Sequence, residues 1–155
     1  MPTLIGFTPD EIDTGAPTRA ARLKWVVVVD ASLPPGRVAN ATACVGAATG
    51  AAVTGLLGPD AIDADGSRHA GLPWIGCTIL AADSTQLAII RARAAASDGV
   101  YVADMPAHAQ LTRVYDEYLD AAAARAPEDL GYLAVGLVGP RNRVDRIVGR
   151  LPLLS

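Results

Sequence analysis

Apolar runs and polar interruptions alternate along this chain in a way that separates strands from helices. "KWVVVVDA", Lys24 to Ala31, is nearly continuous in β-branched residues. That pattern belongs to a strand covered on both faces, and it predicts the central strand of a sheet. "SLPPG" ends it, because prolines cannot continue a ladder and the glycine permits a turn. From Gly36 to about Leu57 a run of Ala, Gly, Thr and Val predicts a small-faced helix, stopped by Gly58-Pro59. Polar "PDAIDADGSRHAGLP" follows, with Asp65-Gly66 suited to a tight turn.

"WIGCTILAA", Trp74 to Ala82, predicts a second strand. Asp83 then reads as an N-cap, completed by Gln86 three residues on, for the helix "STQLAIIRARAAAS". "GVYVADMP" (Gly99 to Pro106) predicts a third strand that Pro106 closes, with Met105 pushed to extended geometry. Leu111, Val114, Tyr115, Tyr118 and Leu119 recur at helical spacing and predict a helix over about 110–125. "LGYLAVGLVGP" predicts a fourth strand, and "NRVDRIVGRLPLLS" a short last helix with an apolar tail. Alternating strands and helices imply one sheet with helices packed on its faces. Residues 1–23, with Pro2, Pro9, Gly15 and Pro17 among acids, predict an extended arm or loop ahead of a single α/β domain over 24–155.

At 155 residues and 51% hydrophobic content the chain is large enough to bury a core, and its 5% aromatic share makes that core aliphatic. A net charge of -3 provides no general attraction for nucleic acid or an anionic membrane. No run approaches the roughly eighteen apolar residues of a membrane span, and the first residues lack the basic start and apolar stretch of a signal peptide. Cys44 and Cys77 lie in apolar surroundings without a Cys-x-x-Cys pair, and read as reduced core residues of a cytoplasmic protein. Neither a metal site nor a cofactor is expected.

Arg37 is the residue that packing does not explain. It stands in the first turn of the small-faced helix, where the helix dipole favours anions over cations. A guanidinium there suits a carboxylate or phosphate, with free backbone N–H groups beside it. Gly36 and Asn40 flank this position, although Asn40 could equally bond local backbone. Asp104, at the end of the third strand, is placed for a proton acceptor at the mouth of a sheet crevice or for a simple turn cap. A structural ion pair between Arg37 and Asp104 accounts for both residues equally well. His108 follows Asp104 by four residues and reads as a proton carrier or a solvated loop side chain. Lys24 reads as an edge charge, Thr42, Thr49 and Thr54 as packing residues, and the arginines of "RARAAAS" as a solvated helix face.

"KWVVVVDASLPPGRVANATACVGAA", "ADSTQLAIIRARAAASDGVYVADMP" and "YLAVGLVGPRNRVDRIVGRLPLL" resemble, in order, the archaeal and eukaryotic type of peptidyl-tRNA hydrolase. "LPPGRVANA", "DADGSRHAGLPW", "VADMPAHAQ" and "GRLPLL" resemble more closely a bacterial branch of that fold, the domain of unknown function 2000 family. The resemblance implies a single mixed four-stranded sheet with helices on both faces. It also implies a hydrolase of an ester or amide bond, with Asp104 at the family's aspartate and Arg37 at its lysine. His108 falls where the family has a threonine, and the family's helix glutamine and histidine fall near Ala41 and Cys44. Arginine keeps the charge of that lysine but cannot exchange a proton at working pH. The resemblance therefore leaves two functions open. One is a hydrolase acting on an aminoacyl-tRNA-related or small anionic substrate, with tRNA disfavoured by the acidic charge. The other is a non-catalytic ligand-binding module, and a homodimer is expected in either case.

Overall fold

The computed structural model describes residues 4–155. In chain order the elements are β1 (Leu23–Asp30), α1 (Pro35–Ala52), the two-residue strands β2 (Ala61–Ile62) and β3 (Arg68–His69), β4 (Thr78–Ala82) and α2 (Ser84–Ala95). They continue with β5 (Tyr101–Pro106), α3 (His108–Leu111), α4 (Tyr115–Ala123), β6 (Tyr132–Pro140) and α5 (Arg141–Val148). The main sheet has the order β4-β1-β6-β5, with β1 parallel to β4 and antiparallel to β6, and β5 antiparallel to β6. The predicted mixed sheet of four strands is thus present, but it is not the single sheet expected, since β2 and β3 form a second, two-stranded one.

Both faces of this sheet are covered, which is why β1 and β6 are apolar without alternation. Val27 and Val29 pack with Ala41 and Val45 of α1. Val26 and Val28 pack on the other face with Leu87 and Ile90 of α2 and Val144 of α5. Gly136 of β6 lets α1 approach closely, since a Cβ there would lie 2.5 Å from Val45 Cγ1. The small residues of the helix divide between two roles. Ala41, Val45 and Thr49 form the buried stripe, whereas Ala43, Cys44, Ala47 and Ala48 are exposed.

The structure departs from the predicted boundaries where tertiary pairing competes with local pattern. α1 ends at Ala52, ahead of Gly58, because Thr54 pairs with the arm: Phe7 N–H donates to Thr54 O at 2.8 Å and Thr54 N–H to Ile5 O at 3.3 Å. The arm thus docks on the domain, with Phe7 buried against the Trp74 ring at 4.7 Å between centroids. β4 begins at Thr78 because Trp74 is drawn to Leu56 and Gly55, and Gly76 adopts a positive φ of 74°. The helix predicted over 110–125 is two helices, split where Thr112 turns extended while its hydroxyl donates to His108 O. The β2–β3 hairpin turns at Asp65-Gly66, as expected, with Asp63 accepting from Asp65 N–H and Ser67 N–H. Cys44 and Cys77 are free but exposed, so their reading as core residues is corrected. Met1 to Thr3 of the predicted arm lie outside the described residues. No described helix is long and apolar enough to cross a membrane.

Candidate functional site

Arg37 rises from the first turn of α1 and meets α3. Its Nε donates to Gln110 Oε1 at 2.8 Å, while Gln110 Nε2 donates back to Arg37 O at 2.9 Å and to Asn40 Oδ1 at 3.1 Å. This reciprocal clasp fixes the guanidinium at a cavity of about 440 Å3, lined by Gly36, Arg37, Asn40, Ala109, Gln110 and Leu111. Three predicted residues, Gly36, Arg37 and Asn40, are thereby brought together. Gln110 was not singled out from the sequence. Its position in "VADMPAHAQ" carries no periodic signal, and its partners lie 73 and 70 residues away along the chain.

Asp104 belongs to a second cavity. On β5 it pairs in register with Val135 and directs its carboxylate to α2, where Arg91 Nε donates to Oδ2 at 3.3 Å. The structural Arg37–Asp104 pair, one of the two readings of these residues, is therefore not formed, because each residue has another partner. Arg91, read from sequence as part of a solvated face, is that partner for Asp104, and its guanidinium also lies 5.9 Å from the Tyr132 ring centroid. The Asp104 cavity has a volume of about 440 Å3 and is walled by Cys44, Met105, Thr112, Arg113, Tyr115 and Tyr118 among others. It adjoins the Arg37 cavity across Ala109, which lines both.

Burial raises the Asp104 carboxyl above the ordinary carboxylate range, with the Arg91 charge and hydrogen bond opposing it. The phenols of Tyr101 and Tyr118 are also raised, first by desolvation and then by the Asp104 charge. Among the described residues, Asp104 Oδ1 has no protein donor. The residues around the cavity thus bring together a desolvated carboxylate with one free oxygen, Tyr115 and Tyr118, Thr112, whose hydroxyl is bonded to His108 O, and the Arg113 guanidinium. Such a set can accept a proton from a bound water and hold negative charge.

His108 lines neither cavity. Its Nδ1 is buried without a hydrogen-bond partner, and no bond joins it to Asp104. Lys24, read as an edge charge, is paired to Asp145 on α5 at 2.5 Å. His69 is exposed on β3, where its Nε2 lies 3.1 Å from Asp63 Oδ2. Thr42 and Thr49 each bond the carbonyl one turn back, at Val38 and Val45.

Residues 23–155 match the family described as protein of unknown function (DUF2000). A solved structure of a protein of unknown function from Agrobacterium tumefaciens aligns with a TM-score of 0.81 at 19% identity, covering 86% of this chain and 98% of that one. That likeness concerns the fold alone. A search of the curated proteins gives no match.

Proposed function

The chain belongs to the DUF2000 family, and on the strength of its Asp104 cavity we propose that it is a hydrolase of an ester or amide bond in a small anionic substrate. The order of its motifs supports a peptidyl-tRNA hydrolase-like architecture, on which this reading of the reaction also draws. The observation that carries it is the desolvated Asp104 carboxylate facing a cavity of about 440 Å3 with one oxygen unengaged. In the reaction, Asp104 takes a proton from a water whose oxygen bonds to the substrate carbonyl carbon. The ester or amide bond then breaks, and the proton returns from Asp104 to the leaving oxygen or nitrogen. Arg113 meets negative charge developing on the carbonyl oxygen. Arg37, held by Gln110, binds an anionic group of the substrate across the Ala109 wall.

A long RNA footprint would demand several basic contacts and a salt-sensitive affinity, and a net charge of -3 favours a small substrate over tRNA. The alternative is a non-catalytic ligand-binding or homodimeric module. It is favoured by the engagement of Arg37 with Gln110, away from Asp104, and by exposed Leu111, Val114, Tyr115 and Leu119 on and between α3 and α4. Turnover of a panel of N-acyl amino acid esters, alongside release of labelled amino acid from N-blocked aminoacyl-tRNA, separates the two. A hydrolase is expected to lose at least about a hundredfold in kcat on Asp104→Asn. Its rate should rise with pH through a value above the ordinary carboxylate range. Absence of turnover on every ester and on the tRNA, with anion binding retained, overturns the enzyme reading in favour of the module.

A further inference from the structure

A third cavity, of about 350 Å3, opens where β1 and β4 begin and α5 starts, lined by Arg19, Lys24, Trp25, Cys77, Thr78 and Arg141 among others. Its charge is one-sided. Lys24 is neutralised by Asp145 at 2.5 Å, but among the described residues no carboxylate lies within 4.0 Å of the Arg19 or Arg141 guanidinium. Arg141 makes only a long bond, 3.4 Å, to Ala21 O. α5 opens behind Pro140 with no side-chain cap and no acid in its first turn, so its free N–H groups and its dipole add positive potential beside Arg141.

Trp25 supplies an independent observation. It lines this cavity and is only 9% exposed, yet its indole Nε1–H has no acceptor in the protein. Leaving such a donor unsatisfied in a buried setting is costly. The other tryptophan is satisfied, since Trp74 Nε1 donates to Gly55 O at 2.7 Å. Two arginines without carboxylates and an uncapped helix start meet at this cavity, and what they lack in common is an anionic acceptor.

We propose that this cavity is an oxyanion-binding site. Arg19 and Arg141 hold the phosphate or carboxylate group of a small ligand there, beside the Trp25 side chain, whose indole reports the occupancy of the cavity it lines. The site is separate from the Asp104 cavity and independent of the hydrolase reading. Desolvation of the sulfur pushes the neighbouring Cys77 thiol up to about 12, although the residue as a whole is exposed.

The test is a titration of the full, nitrogen-15-labelled chain with inorganic phosphate, and separately with malonate, at an ionic strength held constant with sodium chloride. The Trp25 indole resonance should shift and saturate while that of Trp74 stays in place. Arg19→Gln and Arg141→Gln should each weaken binding by about tenfold, the loss expected for a charged hydrogen bond. Arg68→Gln, a change on the exposed β2–β3 hairpin, should leave it unchanged, as should Asp104→Asn. Saturation by phosphate alone or by malonate alone identifies the group the site prefers. Failure of both anions to saturate, an equal shift with chloride, or unaltered affinity in the two cavity variants overturns the proposal. Arg19 is exposed, so its variant keeps the test decisive if Arg141→Gln does not fold.

Discussion

Asp104 is held between two opposing effects, and their balance can be measured. Burial favours its neutral form and Arg91 its charged form, with burial the larger, so its folded pKa lies above the unfolded one. The folded state then binds this proton more tightly than the unfolded chain. Stability contributed by the group is lowest above the folded pKa and rises as pH falls through it toward the ordinary carboxylate range. Asp104→Asn mimics the protonated form. It should be at least as stable as the parent at neutral pH, with the difference closing on acidification. Urea midpoints of both proteins across that pH interval check this, and a less stable variant at neutral pH would mean that the Arg91 attraction prevails over burial. The position of Asp104 at the end of a strand was legible in the sequence, as were Arg37 and Asn40 at the head of a helix. Their partners were not. Arg91 resembled a solvated helix face because periodicity reports which side is apolar, and α2 here presents a charge to the edge strand β5.

Elements were most legible where burial leaves a single solution. β1 and β6 carry unbroken apolar runs because helices cover both sheet faces, and no other element suits such a run. The boundary between α3 and α4 was hidden for the converse reason: Leu111, Val114 and Leu119 keep helical spacing across a break made by Thr112. The contact of α1 with β6 was equally hidden, since a lone glycine in a strand does not announce its neighbour. Gly136→Ala should overpack against Val45 and cost about 1–3 kcal/mol. Val45→Ala in the same chain removes the atom it strikes, so the double variant should lose less than the sum of the two single changes. Equilibrium urea unfolding of all four proteins measures that coupling, and strict additivity would refute the contact. The arm is another element whose docking has a chemical signature. Arg22 Nε donates to Glu11 Oε1 at 2.6 Å, and this hydrogen bond leads the causes that hold the Glu11 carboxyl down at about 2. A depressed folded pKa contributes stability above the ordinary carboxylate range and loses it as pH falls toward that value. Glu11→Gln should therefore speed proteolysis of residues 4–22 at neutral pH, and the difference from the parent should shrink in acid.

For the whole molecule, what remains to be managed is the sheet's open edges, since an unpaired strand is a template for association. The β4 edge is closed by residues 151–155. Ala81 N–H donates to Pro152 O at 2.9 Å, Leu154 N–H donates to Ile79 O at 3.0 Å, and Leu80 and Leu153 form an antiparallel bridge. The sequence marks "LPLLS" as an apolar tail but hides this pairing, because Pro152 reads as a strand breaker. Proline lacks only the donor; its carbonyl remains available, and that is the group Ala81 uses. Removing residues 151–155 leaves Ala81 N–H and Ile79 O without these partners and uncovers the outer edge of β4. The energetic cost falls on an edge, so the fold itself should persist while its association changes. Light scattering after gel filtration is expected to find the shortened chain in larger, concentration-dependent species, with the full chain unchanged at the same concentrations. Ala81→Lys, at a partly exposed position of that edge, in the shortened chain, should reverse the association by placing charge where another strand would pair. A shortened chain with the mass and melting temperature of the parent would show that the tail does not protect the edge.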